Sequence, residues 1–141
     1  TVYGPYGRPD MAIFIFIKGI LDKKILHLNN YGKNFRDFTY IDDVVKYFVD
    51  CVLKSRNKKL FYKIFNIGGE SNIKLTSLVK KIETKLNLKA KIKLKPKISL
   101  DPISSLADTT LIKKYTGKNY KTSLDKGLNN TIKWLRDYFR I

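Results

Sequence analysis

The chain begins Thr1-Val2-Tyr3-Gly4-Pro5-Tyr6-Gly7-Arg8-Pro9-Asp10-Met11-Ala12 and later reads Arg36-Asp37-Phe38-Thr39-Tyr40-Ile41-Asp42-Asp43. In the first stretch, a Gly-Pro turn holds an apolar strand end, Val2, near the guanidinium of Arg8. In the second, Arg36 follows a glycine-containing loop and opens a short strand, so a fixed backbone can aim its planar fork. The first stretch can therefore line a ligand cleft, and the second can bind a carboxylate or a diphosphate.

The composition indicates one folded domain. The chain has 141 residues, of which 43% are hydrophobic and 13% aromatic, which is too apolar for a disordered basic tail. Its one cysteine, Cys51, excludes an internal disulfide and a cysteine-rich zinc site, and its helical apolar surroundings predict a buried or half-buried side chain. The one histidine, His27, has no second histidine to pair with, so we expect no metal site.

The formal net charge of +17 leaves two interpretations open. A basic chain can neutralise phosphates and bind a polyanion. However, 24 of its 29 basic residues are lysines, whereas arginine is the side chain that forks onto phosphates and guanine edges. The densest lysines lie in residues 89–97 and alternate with apolar residues, as on a strand with one face in water. We therefore expect a solvated surface, and nucleic acid is the less favoured partner.

Hydrophobic periodicity predicts a mixed α/β order of elements. Residues 11–21 are apolar almost all round and are assigned to a helix because Pro9-Asp10 is a helix start, although their β-branched residues also suit a strand. Apolar spacing and turn residues predict the others: strands at 25–28, 38–41, 61–67 and 89–97, and helices at 42–53, 75–86, 109–115 and from 123 onward. Asn29 to Gly32 forms a turn, and Ser123 caps the last helix.

Several charged residues have both a structural and a chemical interpretation. Arg36 can bind an anion, or it can form an ion pair with a nearby aspartate at position 37, 42 or 43. The pair Asp42-Asp43 resembles paired carboxylates for acid–base work, but a helix start explains it better, with Asp42 as the cap. Asp108 is expected to cap a helix, whereas Asp101 lies in a loop and is free to bind a hydroxyl.

The two stretches quoted above, residues 1–12 and 36–43, resemble the extended short-chain dehydrogenase/reductase (NAD-dependent epimerase/dehydratase) family when they are taken together with Phe65-Asn66-Ile67-Gly68-Gly69. Within it they are most similar to UDP-glucuronate 4-epimerases. The Gly-Arg-Pro-Asp-Met and Arg-Asp-Phe-Thr-Tyr-Ile-Asp-Asp segments carry the resemblance, and residues 122–128 are similar to the family's closing helix. The resemblance covers nearly all 141 residues. It implies an α/β fold: a C-terminal substrate-binding lobe plus the last strands of a Rossmann-type sheet, incomplete, with residues 65–68 as a late strand.

The resemblance also implies a chemistry. Such enzymes bind NAD in an N-terminal Rossmann lobe, oxidise the sugar at C4 and return the hydride to the other face. Carried over by position, Thr1 would lie beside the sugar, and Val2 and Tyr3 near the nicotinamide end of NAD. Arg8 would face the sugar carboxylate of UDP-glucuronate or UDP-galacturonate. Two further residues would contact the nucleotide part: Arg36 would hold the UDP diphosphate, and Asp101 would match the family's loop acid.

The chain departs from the family pattern in four places. No Gly-x-x-Gly-x-x-Gly follows a strand, and no Tyr-x-x-x-Lys pair is present, so no catalytic residue is assigned. The family's Arg-Pro-Gly-Asp loop reads Ile98-Ser99-Leu100-Asp101, and Asn29 stands where relatives often place an aromatic ring beside the uracil. We therefore expect residues 1–141 to be the substrate-binding portion without its cofactor lobe, inactive alone, with uncovered apolar faces such as 64–67.

Two alternatives remain. The chain can belong to a dehydratase, decarboxylase or other epimerase acting on a related nucleotide sugar, or it can be a stand-alone basic module that binds polyanions. The most apolar run stops at Lys18, well short of about 20 residues, so no membrane span is expected. The start of the chain has no basic leader, so the cytoplasm is the expected location. The family resemblance implies a homodimer for the full-length protein and a role in polysaccharide biosynthesis.

Overall fold

The computed structural model describes residues 1–56 and 62–140, which form a mixed α/β structure. Its helices are α1 Ala12–Leu21, α2 Ile41–Ser55, α3 Leu75–Leu86, α4 Thr110–Thr116 and α5 Leu124–Phe139. Its strands are β1 Val2–Tyr3, β2 Ile25–Leu28, β3 Phe35–Asp37, β4 Thr39–Tyr40, β5 Asn72–Lys74 and β6 Lys91–Leu94. None of the helices in this described part has the length and apolar content needed to cross a lipid bilayer.

The six strands form three separate two-stranded sheets. β1 pairs with β4 and β2 pairs with β6, both in parallel, whereas β3 and β5 are antiparallel. The registers place Val2 opposite Thr39, Ile25 opposite Lys91 and Phe35 opposite Lys74. Each sheet therefore joins segments that are distant in the sequence, and each fixes one loop region relative to the helices.

The core lies between helices α1, α3 and α5. Each helix turns one apolar stripe inward, as the spacing of about 3.6 residues requires. Five aliphatic side chains from these stripes are completely buried: Ile17, Leu78, Ile82, Leu128 and Leu135. Complete burial of one such side chain contributes about 1.5 to 3 kcal/mol. Helix α2 contributes the partly buried Ile41 to this core and packs on α4, β4 and β1.

Most of the predicted elements are confirmed. Helix α3 has the predicted bounds, and α1, α4 and β2 lie where the periodicity placed them. The turn after β2 is present, with Asn30 and Tyr31 in the left-handed region at φ values of 48° and 53°. Ser123 caps α5, because its hydroxyl accepts a hydrogen bond from the backbone N–H of Lys126. Cys51 is half-buried, as expected.

The predicted strand at 61–67 is wrong within the described residues. Residue 61 lies outside them, and residues 62–67 belong to no strand. An apolar run becomes a strand only where a neighbouring strand supplies hydrogen bonds, and none of the described strands pairs with this segment. The one Rossmann-type strand expected from this part of the sequence is therefore not formed.

Two features also differ from the sequence prediction, the strand expected at 38–41 and the cap of α2, whereas the role of Asp108 agrees with it. Of the strand expected at 38–41, only Thr39–Tyr40 forms, as β4; β3 lies before it, and Ile41 already belongs to α2. Asp42 does not cap α2: the cap position is Tyr40, with no side-chain hydrogen bond. Asp42 and Asp43 both lie in the first turn, where the helix dipole favours carboxylates. Asp108 accepts a hydrogen bond from the N–H of Thr110, at the start of α4, as a capping carboxylate does.

Two apolar faces lie in solvent rather than in the core. All four residues of β6 are exposed, including Ile92 and Leu94, so this strand does not have one buried face as its alternation predicted. Val45, Phe48, Val49 and Val52 of α2 are exposed in the same way. The periodicity identified the apolar side of each element correctly, but within this chain no described element covers it.

Glu70 connects the loop before β5 to α4 and makes folding stability depend on pH. Its carboxylate accepts hydrogen bonds from Lys113 and Thr109. The bond from Lys113 is the main reason why the pKa of Glu70 is lowered, and the bond from Thr109 is the second. A carboxyl with a lowered folded pKa stabilises the fold above its unfolded pKa, near 4.3, and loses this effect as the pH falls through the folded value.

We therefore expect Glu70→Gln to lower the free energy of unfolding at pH 7 by about 1 kcal/mol, the upper range for a partly exposed ion pair. Urea unfolding at pH 7 and at pH 3 measures this, and the difference from wild type should shrink at the lower pH. Asp137→Asn, at a position with no described ion pair, is the control. An equal loss at both pH values would contradict the assignment.

Candidate functional site

Strand β3 positions the guanidinium of Arg36. Successive side chains on a strand point to opposite sides, so Arg36 and the preceding Asn34 point to the same side. The backbone of this segment is held on both edges, because β5 pairs with one edge and Phe35 N–H donates to the carbonyl of Ile103 at 2.8 Å on the other. Arg36 therefore projects from a fixed backbone, as the sequence suggested.

Asp101 meets Arg36 and Asn34 from a loop far along the chain. The Arg36 Nη2 donates to Asp101 Oδ1, and Asn34 Nδ2 donates to Asp101 Oδ2 at 2.6 Å. The Arg36 side chain is only 16% exposed, so water screens this charge pair weakly. The structure thus brings together two of the predicted site residues, Arg36 and Asp101.

The ion pair expected between Arg36 and an aspartate at position 37, 42 or 43 is wrong, since Arg36 pairs with Asp101 instead. Asp37 points to the other side of β3, where its carboxylate accepts backbone hydrogen bonds from Ser71 and Ala107. The expectation that Asp101 is free for a hydroxyl also needs correction. Both of its oxygens already accept a hydrogen bond, although each retains a second lone pair.

Asn34 is a component of this site that the sequence analysis missed. It is fully buried, at 0% exposure. Its side-chain oxygen accepts from Asn30 Nδ2 at 2.5 Å while its nitrogen donates to Asp101, so one amide joins the turn after β2 to the loop at 98–101. The available signal was the Asn-x-Arg spacing at the start of the short strand that Arg36 opens, because extended backbone places both side chains on one side.

Thr1 immediately precedes β1 and lies in a cleft that neither Arg36 nor Asp101 lines. Its terminal amine donates to the carbonyl oxygen of Asp37 at 3.0 Å, and its own carbonyl accepts from Thr39 N–H. Thr1 and Asp37 line an open cleft of about 260 Å³ together with Ile67 and the loop at 105–107. Because Asp37 adjoins Arg36 in β3, the Thr1 cleft and the Arg36–Asp101 pair lie at neighbouring positions along one strand.

The side chain of Tyr3 is buried and has little surface that a ligand could contact. Its ring is buried against Phe38, Tyr40 and Gly127 of α5, where any larger residue would collide with it. Burial also raises the pKa of the Tyr3 hydroxyl, which keeps it protonated. Val2 is partly exposed, so β1 can present the Val2 side chain and backbone atoms to a neighbouring molecule.

Arg8 stands apart from the other predicted site residues. It forms a two-bond ion pair with Asp10, at 3.0 and 2.5 Å, and both side chains are well exposed. The hydrogen bond between them raises the pKa of Arg8 and lowers that of Asp10. No described hydrogen bond joins Arg8 to Thr1, Arg36 or Asp101. Arg8 is therefore available at the surface of the turn between β1 and α1.

The remaining candidates do not form a chemical site. His27 is exposed on β2, opposite Lys93 of β6. Within residues 1–56 and 62–140, no three His, Cys, Asp or Glu side chains come together as a metal site would require. Asp43 accepts hydrogen bonds from the N–H and the hydroxyl of Thr122, so it ties α2 to the segment before α5.

Comparison with known proteins shows which family this chain is similar to. Residues 1–68 match the model of the NAD dependent epimerase/dehydratase family. The chain is 42% identical to protein MJ1055 of Methanocaldococcus jannaschii over 95% of its own length and 40% of that protein's. It is 36% identical to the UDP-glucuronate 4-epimerase of Thermodesulfobacterium geofontis, over 97% of the chain and 41% of the relative. The chain is thus similar to members of this family over nearly its whole length.

A solved member of the family shares the fold. The crystal structure of UDP-glucuronic acid 4-epimerase from Bacillus cereus, in complex with UDP-glucuronic acid and NAD, superimposes with a TM-score of 0.88 at 28% identity. The match covers 98% of this chain and 43% of that one. The architecture is therefore part of an extended short-chain dehydrogenase/reductase fold. The chain spans less than half the length of the relatives it matches.

The described residues do not by themselves fit NAD. Dinucleotide-binding folds hold the pyrophosphate on a glycine-rich turn that leads from a strand into a helix N-terminus. Among the helices in residues 1–56 and 62–140, α1 follows a strand and a turn with two glycines, Gly4 and Gly7, but residues 8–11 separate this turn from the first helical residue, Ala12. We therefore derive no chemical step through NAD for these residues.

The amide of Asn34 should be essential to the Arg36–Asp101 pair. In Asn34→Asp, the donor that faces Asp101 becomes a second carboxylate, so two like charges meet in a buried position. We expect the free energy of unfolding to fall by about 2 kcal/mol or more at pH 7. The loss should shrink below about pH 4, because one shared proton restores a hydrogen bond between the two carboxyls.

Asn129→Asp makes the same charge change at an exposed position of α5, beside Lys85, and serves as the control. Thermal unfolding over pH 3 to 8 measures both variants. Equal stability of the two variants at pH 7 would show that Asn34 has no special role in holding Asp101.

Proposed function

We propose that this chain forms the UDP-sugar-binding part of an NAD-dependent UDP-glucuronate 4-epimerase. The observation that carries the proposal is the convergence of Arg36, Asp101 and Asn34 from two distant segments. A buried guanidinium on a fixed strand next to an oriented loop carboxylate suits a nucleoside diphosphate, which presents an anion and hydroxyl groups. The solved Bacillus cereus relative, which binds UDP-glucuronic acid and NAD, supports this choice.

Arg36 would bind the diphosphate. The structure uses two of its donors, one to Asp101 and one to the carbonyl oxygen of Phe35 at 2.7 Å. A guanidinium carries five N–H groups, so three remain for phosphate oxygens. Asp101 would accept a hydrogen bond from the nucleotide part with its remaining lone pairs, and its own negative charge would keep Arg36 oriented until the ligand binds.

The sugar would lie beside Thr1. The Thr1 cleft adjoins β3 and has the size of a small-molecule subsite. Arg8 would face the sugar carboxylate, which requires it to exchange Asp10 for the ligand; both partners are exposed, so this exchange costs little. Val2 and Tyr3 would lie near the nicotinamide end of NAD through the exposed edge of β1.

The chain would bind and orient the sugar but would not perform the reaction alone. No Tyr-x-x-x-Lys pair is present in these residues, so no group is assigned to proton transfer at the sugar C4 hydroxyl. The NAD of the complete enzyme would accept and return the hydride. A dehydratase or decarboxylase of the same family remains the alternative, and it would use the same diphosphate contact. Assembly as a homodimer, a cytoplasmic location and a role in polysaccharide biosynthesis stay predictions.

Arg36→Ala should weaken binding of UDP-glucuronate by about 10-fold or more, because a charge-assisted contact to the diphosphate is worth about 1.5 to 3 kcal/mol. Arg36→Lys should recover only part of the affinity, since an ammonium lacks the planar fork. Isothermal titration calorimetry at two salt concentrations measures both, with Arg136→Ala in α5 as the control. Equal losses in the Arg36 and Arg136 variants, with steep salt dependence and no sugar preference, would favour the polyanion-binding alternative.

Arg8→Ala should change selectivity rather than overall affinity. If Arg8 faces the sugar carboxylate, its removal weakens binding of UDP-glucuronate and leaves binding of UDP-glucose nearly unchanged. Arg36→Ala, by contrast, should weaken both ligands equally. Competition titrations with the two nucleotide sugars give the ratio of affinities. An unchanged ratio in Arg8→Ala would exclude UDP-glucuronate as the preferred substrate and favour a neutral UDP-sugar.

A further inference from the structure

The turn between β1 and α1, which carries Arg8, has little hydrogen-bonded support. Two backbone bonds close it: Gly7 N–H donates to the carbonyl of Gly4, and Met11 N–H donates to the carbonyl of Arg8, both at 3.2 Å. This distance is at the long end of the range for N–H···O bonds. The side-chain bonds from Arg8 stay within the turn, because both go to Asp10. Hydrogen bonds therefore do not explain how the turn is held against the rest of the chain.

Tyr6 lies in this turn with a backbone conformation that its own side chain disfavours. Its φ angle is 59°, in the left-handed region where the Cβ of an L-residue crowds the following carbonyl. Burial does not offset this cost, since Tyr6 is 82% exposed. A strained residue persists where its surroundings favour that conformation, and such residues cluster at functional sites. The contact that favours it here is between two aromatic rings.

The ring of Tyr6 packs on Trp134 of α5. The two ring centroids are 5.3 Å apart and the rings are inclined by 51°, a geometry that aromatic pairs favour. Trp134 is partly buried against the core and also contacts Phe14 of α1, with centroids 6.4 Å apart. Trp134 is thus fixed by two of the helices that form the core. The contact with Tyr6 joins the turn to those helices.

The residues on both sides of Arg8 face the same aromatic cluster. Gly7 and Pro9 line one open cleft together with Tyr6 and Trp134. The Arg8 side chain itself is 70% exposed, so packing does not fix its direction. The region that its guanidinium can reach therefore depends on where the backbone of the turn lies. The Tyr6–Trp134 contact sets that position.

We propose that Tyr6 and Trp134 are positioning residues for Arg8, and that they set the preference of the site for a nucleotide sugar that carries a carboxylate. The proposal rests on the proposed function, in which Arg8 faces the sugar carboxylate. Neither ring touches the sugar; both act through the backbone of the turn. Two parallel N–H···O bonds between a guanidinium and a carboxylate require a defined geometry, which a displacement of about 1 Å disrupts. A neutral sugar makes no such demand on Arg8.

The test is Tyr6→Leu, which removes the ring and keeps an apolar, non-glycine residue at an exposed position. Competition titrations should show the preference for UDP-glucuronate over UDP-glucose falling by about 3-fold or more, the effect expected from one aromatic pair. The affinity for UDP-glucose should stay unchanged. Tyr6→Phe should keep the preference, because the ring and not the hydroxyl makes the contact.

A second measurement needs no ligand. Amide hydrogen exchange at Gly7 and Met11, the two donors that close the turn, should be faster in Tyr6→Leu than in the wild-type chain. Tyr62→Leu removes a tyrosine that is 87% exposed and lies outside the turn, so it serves as the control for both measurements. We expect it to change neither the exchange at these two residues nor the sugar preference.

Three results would count against the proposal, and they separate it from the proposed function. Equal losses of affinity for both sugars in Tyr6→Leu, with a lower free energy of unfolding, would show a merely structural role. A preference that changes in Arg8→Ala but not in Tyr6→Leu would overturn the positioning role and leave the proposed function intact. A preference unchanged in Arg8→Ala would overturn the contact between Arg8 and the sugar carboxylate, and the positioning role with it.

Discussion

The buried carboxylate of Asp37 holds together the segments on which the site is built. The two carboxylate oxygens accept hydrogen bonds from the backbone N–H groups of Ser71 and Ala107, at 3.0 and 3.3 Å. The backbone carbonyl of Asp37 accepts a hydrogen bond from the amine of Thr1. A carboxylate this deeply buried is tolerated only when hydrogen bonds replace its lost water. β1, β3 and the loops that contain Ser71 and Ala107 are therefore all joined at Asp37. These hydrogen bonds hold the two loops in place although neither loop is helix or strand there.

Because successive side chains of a strand point to opposite sides, Arg36 and Asp37 of β3 contact different parts of the structure. Asp37 points towards the segments it organises, and Arg36 points the opposite way, towards Asp101. The position of the guanidinium is thus set by the same backbone that the carboxylate fixes. Asn34 also supports this arrangement. Its side-chain amide donates a hydrogen bond to Asp101 and accepts one from the turn after β2. The fold and the candidate site share one three-residue strand.

Local patterns in the sequence predicted elements better than contacts. Helices α1, α3 and α5 follow from apolar spacing and from the cap at Ser123, because these signals act within one or two turns. The pairing of Arg36 with Asp101 joins residues from distant segments, and no local pattern predicts it. Periodicity likewise identified the apolar stripe of α2, but it cannot tell whether this chain or another structure covers that stripe. The segment 62–67 illustrates the same limit, since a strand is defined by its neighbour.

The pairing of strands has a consequence for how the chain folds. During synthesis, one strand of each pair is made well before the other. β1 can pair only after β4 has been made, β3 only after β5, and β2 only after residues 91–94, which form β6. All three sheets thus close large loops, and proteins dominated by such distant contacts fold slowly. During synthesis the apolar helix α1 emerges well before α3 and α5, its partners in the core. The nascent chain therefore exposes that helix for a long part of its synthesis, when it is most open to chaperones and to aggregation.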